Sequence, residues 1–303
     1  MIGRNGFIIR LAMKNYIDLL KDILDNGFTK EDRTGVGSRS VWGRTLRWDL
    51  SEGFPIITTR KVSFRIAFEE TMFFLRGGRD TKELEEKNIF IWTGNTTREF
   101  LDNRGLDWLD EGDMGYGYGH QWRNFGGFDV KDGPEGWYYN GVDQLKEMLE
   151  NIKKDPYSRR HIITAWNPQQ LYGTALPPCH ILQQYQVRPD DKLNSSFLLR
   201  SNDVPYGLPY NIMGYALLNV LFAKLLGYEP GELVYQGNDA HIYLNQIDMV
   251  KEQIKREPKP LPKLVIKKDL NTLDDLLSLE YSDVELVGYD PYPDFKNKPD
   301  MAV

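Results

Sequence analysis

The sequence predicts an α+β protein: a mixed, mostly antiparallel sheet packed on one buried central helix, in a single domain. Three observations carry this expectation. Residues 212–227, IMGYALLNVLFAKLLG, are apolar nearly all the way round a helical wheel, so that helix must be enclosed. Short β-rich runs precede it, RHIITAW (160–166), HILQQYQV (180–187) and NSSFLLRS (194–201), and the turn RPDDK (188–192) joins the last two as an antiparallel hairpin. No internal repeat, low-complexity tract or Ser/Gly linker divides the chain.

The elements follow in order. Residues 1–12 read as an N-terminal extension, too short in apolar length for a secretory signal, and the folded domain is expected over 13–303. Residues 13–27 place Tyr16, Leu19, Leu20 and Ile23 on one helical face and close on Gly27. Residues 64–78 repeat the pattern with Phe64, Phe68, Met72 and Leu75 before a glycine pair. Residues 142–156 do so with Val142, Leu145, Leu149 and Ile152, stopping before Pro156. Beyond the central helix, ELVYQG (232–237) and KLVIKK (263–268) read as strands, and 244–258 as an amphipathic helix ending at Pro258.

Bulk chemistry narrows the function. The chain has 303 residues and a net charge of −6, from 38 basic and 44 acidic side chains, a poor balance for gripping a nucleic-acid backbone. No run approaches the roughly 20 apolar residues that span a bilayer, so no membrane or nucleic-acid partner is expected. A single cysteine, Cys179, rules out an internal disulfide and a multi-cysteine metal site, and the four histidines have no metal-ligand spacing, so no metal is expected and the cytoplasm is the default compartment.

Four polar clusters stand out, each with two readings. Arg33 beside the turn of EDRTGVGS is a solvated charge or an anion contact. The same holds for Arg159 and Arg160 in DPYSRRHIITAW. In LLRSNDVPYGLPYN, Arg200, Ser201, Asn202, Asp203 and Asn211 crowd a turn between a strand and a buried helix, where polar groups must be satisfied or used. Cys179, in TALPPCHILQQYQV, is a small buried hydrophobe or a nucleophile. His180 does not serve it as a base, because adjacent residues in extended backbone point to opposite faces. Arginines nearby would favour the thiolate instead.

In order along the chain stand DRTGVGS, GFPIITTRKV, FEETMFFLRG, GYGYGHQWRNFGG, DPYSRRHIITAWNP, ALPPCH, RSNDVPYGLPYN, GNDAHIYLNQ and a terminal MAV. This ordered set, running from about residue 13 to 303, resembles the folate-dependent thymidylate synthase family. The resemblance implies reductive methylation of dUMP to dTMP, with 5,10-methylenetetrahydrofolate as co-substrate and no metal. It implies that the Cys179 thiolate adds to C6 of dUMP. Arg33, Arg200 and Ser201 fall on phosphate-binding positions, and Arg159 and Arg160 on the pair that reaches the same phosphate from a second subunit, which implies an obligate homodimer. Asn211 falls on the amide that reads the pyrimidine, and His241 with Tyr243 on the pair that holds the deoxyribose. Glu70 and Tyr118 fall on the groups that manage water and proton transfer. Ile91, Trp92, Leu176, Asp203, Gly207 and Tyr210 fall on the folate-facing wall, with Asp203 on the pterin, and Val303 on a C-terminus that closes over the ligands.

Five positions depart from the family pattern: Thr93 for the usual Asp, Tyr116 and Gly117 for the usual Pro and aliphatic residue, Leu199 for Gln, and Tyr206 for Leu. They bear on the folate and nucleotide pockets, so a relative that finishes the same intermediate with water, a dUMP hydroxymethylase, is the alternative reading. Asn211 argues against cytosine, and Trp92 with the MAV tail favours the reductive route.

Overall fold

The computed structural model describes residues 13–32, 35–128, 140–296, 298 and 299. Arg33, Val303 and the extension 1–12 therefore lie outside the described residues. The helices are α1 (Lys14–Asn26), α2 (Phe64–Leu75), α3 (Lys82–Glu85), α4 (Arg98–Asn103), α5 (Tyr118–Asn124), α6 (Gln144–Lys154), α7 (Gly207–Leu226), α8 (Ile247–Gln253) and α9 (Leu273–Leu277). The strands are β1 (Phe28–Lys30), β2 (Ser38–Asp49), β3 (Ile162–Thr164), β4 (His180–Val187), β5 (Lys192–Asp203), β6 (Glu229–Tyr243), β7 (Lys263–Ile266) and β8 (Val284–Val287). Two compact units are distinguished, residues 1–68 with 188–303, and residues 69–187.

In the first unit β1 pairs antiparallel with β2, β2 antiparallel with β6, and β6 parallel with β5; β7 and β8 form a separate antiparallel pair. In the second unit β3 and β4 pair antiparallel. The α+β class and the mostly antiparallel, mixed sheet are as the sequence predicts. β5 alternates along its length, burying Leu193, Ser195, Phe197 and Leu199. α7 packs on β5 and β6, and thirteen of its twenty residues are buried. Its one buried amide, Asn219, donates to the Leu193 carbonyl at 2.9 Å and to Ser195 Oγ at 2.8 Å, so the donor end of a polar group in the core is employed. The expected turn at 188–192 forms, with Arg188 N–H donating to the Lys192 carbonyl at 2.8 Å.

The helix ends have local causes. α6 starts one residue after Asp143, whose carboxylate accepts the Lys146 N–H at 3.1 Å. α7 ends on Gly227 at φ 78°, the left-handed cap that glycine adopts without strain. The Gly27 stop of α1 works differently: its backbone is extended, and a Cβ there would lie 2.4 Å from the Ile23 carbonyl oxygen. Close approach, not a left-handed turn, is what requires glycine. The expected helix at 244–258 is split into a 3-10 turn over Leu244–Gln246 and the short α8.

Candidate active site

The predicted site residues fall into two groups, one in each unit. In residues 69–187 the organising feature is a set of rings. Glu70 and Phe74 lie four residues apart on α2 and so share a face. Phe74 meets Tyr118 at 4.9 Å between centroids and Trp92 at 6.2 Å, and Trp92 meets Tyr118 at 6.0 Å. Tyr118, the first residue of α5, is stacked on His180 at 3.8 Å with an interplanar angle of 3°. Its hydroxyl accepts the Cys179 N–H at 2.8 Å. Cys179 is half-buried, immediately before β4 and immediately after Pro177 and Pro178, which favour extended backbone into the strand.

Glu70 accepts a hydrogen bond from Trp92 Nε1 at 2.8 Å. It retains some solvent contact but is surrounded by protein, and burial raises its carboxyl to about 7, the Trp92 N–H pulling in the opposite direction. A carboxyl tuned to neutrality can hold or release a proton at working pH. Burial acts on His180 with the opposite sign and lowers it to about 3, so the ring is neutral and serves as a wall for Tyr118 rather than as a charge. Ile91, Trp92 and Leu176 are half-buried. Arg159 and Arg160 are exposed on the segment between α6 and β3. The Arg159 carbonyl accepts from Gln184 Nε2 at 3.2 Å, which ties the backbone under the pair to β4.

In the first unit the predicted residues gather at the C-terminal end of β5, the N-terminus of α7 and the end of β6. Arg200 and Ser201 are half-buried on β5. Asn202 Nδ2 donates to Asn211 Oδ1 at 3.3 Å, and the Tyr235 hydroxyl donates to Asn202 Oδ1 at 3.2 Å. Asp203 accepts from the Tyr206 N–H at 3.1 Å and from Gln246 Nε2 at 3.0 Å. Burial raises the Asp203 carboxyl, and these two donors work against the rise. Gly207 and Tyr210, on the first turn of α7, are half-buried, as is Asn211. His241 Nδ1 lies 3.2 Å from Asp239 Oδ1, and its ring meets Tyr243 edge-on at 5.0 Å. Asp239 also pairs with Lys30; burial opposes its ionisation, but His241 and Lys30 hold its carboxyl well below the usual range.

The departures from the family pattern are not alike. Leu199 is fully buried, a core residue of β5. Tyr116 is 1% exposed and packs among Trp108, His120, Phe128 and Tyr172. Thr93 donates its hydroxyl to Glu85. Tyr206 donates its hydroxyl to the Pro299 carbonyl at 2.7 Å. Sequence reasoning missed Arg60, which is 3% exposed and donates to the Pro205 carbonyl at 2.6 Å. Its only signal is its place in GFPIITTRKV, where it reads as one more surface cation. It also missed Gln246, which orients Asp203.

A family model described as thymidylate synthase matches residues 14–303. The chain is 44% identical over 283 residues to thymidylate synthase 1/2 of Encephalitozoon cuniculi, covering 93% of this chain and 95% of that one. It is 41% identical over 288 residues to the thymidylate synthase of Homo sapiens, covering 95% and 90%, and 42% identical over 306 residues to that of Candida albicans, covering 95% and 97%. The chain belongs to the thymidylate synthase family. It is accordingly a one-carbon transferase that methylates dUMP to dTMP with 5,10-methylenetetrahydrofolate as co-substrate. Among the described residues no group of three or more His, Cys, Asp and Glu side chains could hold a metal, and no helix is long and apolar enough to cross a membrane.

Proposed function

We propose that Cys179 is the nucleophile of this reaction, with residues 13–303 acting as one catalytic domain. The observation that supports this most directly is the setting of Cys179: half-exposed at the head of β4, its backbone fixed by the Tyr118 hydroxyl at 2.8 Å. A soft, polarisable thiolate suits reversible addition to the electron-poor C6 of a uracil ring. The folate supplies both the one-carbon unit and the hydride. Glu70, held by Trp92, manages the proton and water at the ring, and Tyr118 stands beside it. Arg33, Arg200 and Ser201 hold the phosphate, Asn211 reads the base, and His241 with Tyr243 holds the sugar. Ile91, Trp92, Leu176, Asp203, Gly207, Tyr210 and Val303 face the folate.

Arg159 and Arg160 complete the phosphate site of a second subunit, so the enzyme works as an obligate homodimer, in the cytoplasm. Exposure of both side chains in the single chain supports that reading. Convergence of several cations on one dianion explains how an acidic protein holds a nucleotide.

Incubation with dUMP and methylenetetrahydrofolate tests the assignment through its products. Expected are dTMP and dihydrofolate in equal amounts, with a covalent adduct to 5-fluoro-dUMP. Cys179→Ser is expected to bind dUMP yet lose the adduct and turnover by orders of magnitude. Undiminished turnover in that variant would overturn the role of Cys179, and 5-hydroxymethyl-dUMP with tetrahydrofolate would replace hydride by water as the finishing step.

A further inference from the structure

Two charged side chains beside His241 have no part in the reaction as set out above. Asp239, His241 and Tyr243 alternate onto one face of β6. Ser38 of β2 stands opposite Tyr243, and Lys30 of β1 stands opposite Ser38, so Lys30 shares that face. Its ammonium pairs with Asp239 Oδ2. The other carboxylate oxygen, Oδ1, lies 3.2 Å from His241 Nδ1. Each oxygen of Asp239 is thus engaged by a different partner, one on β1 and one on its own strand.

This arrangement decides the state of the imidazole. Burial opposes ionisation of Asp239, yet His241 and Lys30 keep its carboxyl well below the usual range. An ionised carboxylate only accepts hydrogen bonds, so the nitrogen that faces it must carry its proton. Nδ1 is therefore N–H, and in the neutral ring the lone pair stands at Nε2. Lys30 matches the charge of Asp239, so His241 need not be a cation to stay beside it. The lone pair suits a hydroxyl donor, and the deoxyribose of dUMP carries one free hydroxyl, at C3′.

We propose that Asp239 and Lys30 are positioning residues for the sugar: together they hold His241 in the Nδ1–H tautomer, so that Nε2 accepts the proton of the 3′-hydroxyl of dUMP. The proposal deepens the synthase reading and rests on its placing of the sugar at His241.

Asp239→Asn tests it at constant shape. An amide has one oxygen, and Lys30 can only donate, so Lys30 takes that oxygen and turns the NH2 end toward His241. Nδ1 then becomes the acceptor and the proton moves to Nε2, where donor meets donor at the sugar. In full-length protein labelled with 15N-histidine, in alkaline buffer without substrate, long-range proton–nitrogen correlations should show Nδ1–H in the wild type and Nε2–H in the variant. The signals of His241 are those missing from His241→Gln. The Kd for dUMP should rise roughly tenfold, the cost of one unmatched hydrogen-bonding group. The Kd for 2′,3′-dideoxyuridine 5′-monophosphate, which lacks the hydroxyl, should be the same in both proteins. Adding Lys30→Met to Asp239→Asn frees the amide to turn its oxygen to Nδ1, and should recover part of the lost dUMP affinity. Nε2–H in the wild type, or Nδ1–H retained in Asp239→Asn, overturns the tautomer assignment. A switched tautomer with unchanged dUMP affinity overturns its part in sugar binding, and an equal loss for both nucleotides makes Asp239 merely structural. No recovery in the double variant overturns the part of Lys30. Failure of the wild type to form dTMP would count against the synthase reading alone, because the tautomer is read without substrate or turnover.

Discussion

Replacing Trp92 by phenylalanine should move the pH dependence of the enzyme without touching its substrates' charged groups. Trp92 gives Glu70 a 2.8 Å hydrogen bond that favours the ionised carboxylate, while burial holds that carboxyl at about 7, above its ordinary value of 4.5. Phenylalanine preserves a ring against Phe74 and Tyr118 but has no N–H. A hydrogen bond to a charged group contributes about 1.5–3 kcal/mol in a buried setting. At about 1.4 kcal/mol per pH unit, and taking the lower end because Glu70 keeps some solvent contact, the carboxyl should rise by roughly one unit. If the carboxylate is the working form, kcat/KM falls as pH drops through its pKa. The acidic limb should therefore lie near 7 in the wild type and roughly one unit higher in Trp92→Phe. Glu70→Gln should abolish the limb along with most of the activity. Stability has its own sign: a carboxyl raised by the fold binds more protons folded than unfolded, so its contribution to stability falls as pH rises from 4.5 to about 7. Trp92→Phe extends that fall upward. An acidic limb that stays in place in Trp92→Phe, at full folding, would refute the coupling between these two side chains.

Two further expectations concern assembly and the core. Cys179→Ser and Arg160→Ala homodimers should each be nearly inactive, but mixing and refolding them together should restore activity, because one site of the hybrid then has its cysteine and a partner's arginine. No recovery in hybrids of verified composition would contradict donation in trans. Phe197 is 1% exposed, stacked on Tyr215 at 4.2 Å, so Phe197→Ala should lower the unfolding free energy in urea by about 3–5 kcal/mol; a loss below about 1 kcal/mol would mean the core refills around it.

What could be read in advance follows from what the patterns encode. The central helix was legible because burial on all sides leaves an unbroken apolar run, although its true start is Gly207, where GLPYN still reads as a polar turn. β2 escaped prediction. Its twelve residues carry Arg39, Arg44 and Arg47 and a Gly43 at φ 67°, so no clean alternation survives, and its place is dictated by pairing with β6 over most of both strands. β6 itself runs from Glu229 to Tyr243, far beyond the six residues with strong β propensity, because neighbours on both sides satisfy its backbone. For the site, the candidate residues were drawn from ordered motifs. The ring stack that fixes Cys179, the carboxyl at neutrality and the hydrogen bond from Tyr206 to Pro299 were not legible, since each depends on partners 22 to 93 residues away.

The row of three side chains that ends at Asn211, the residue proposed to read the base, has a direction. Tyr235 is fully buried, and burial raises its phenol, so it stays protonated and has a single proton to give. That proton goes to Asn202 Oδ1, which turns the Asn202 amide so that its nitrogen end faces Asn211 Oδ1. Donor meets acceptor twice in the same sense, and Asn211 is thereby told which of its two ends is oxygen and which is nitrogen. An amide is symmetric in shape and ambiguous in chemistry; here the ambiguity is removed from the core outward, before any ring arrives to be read.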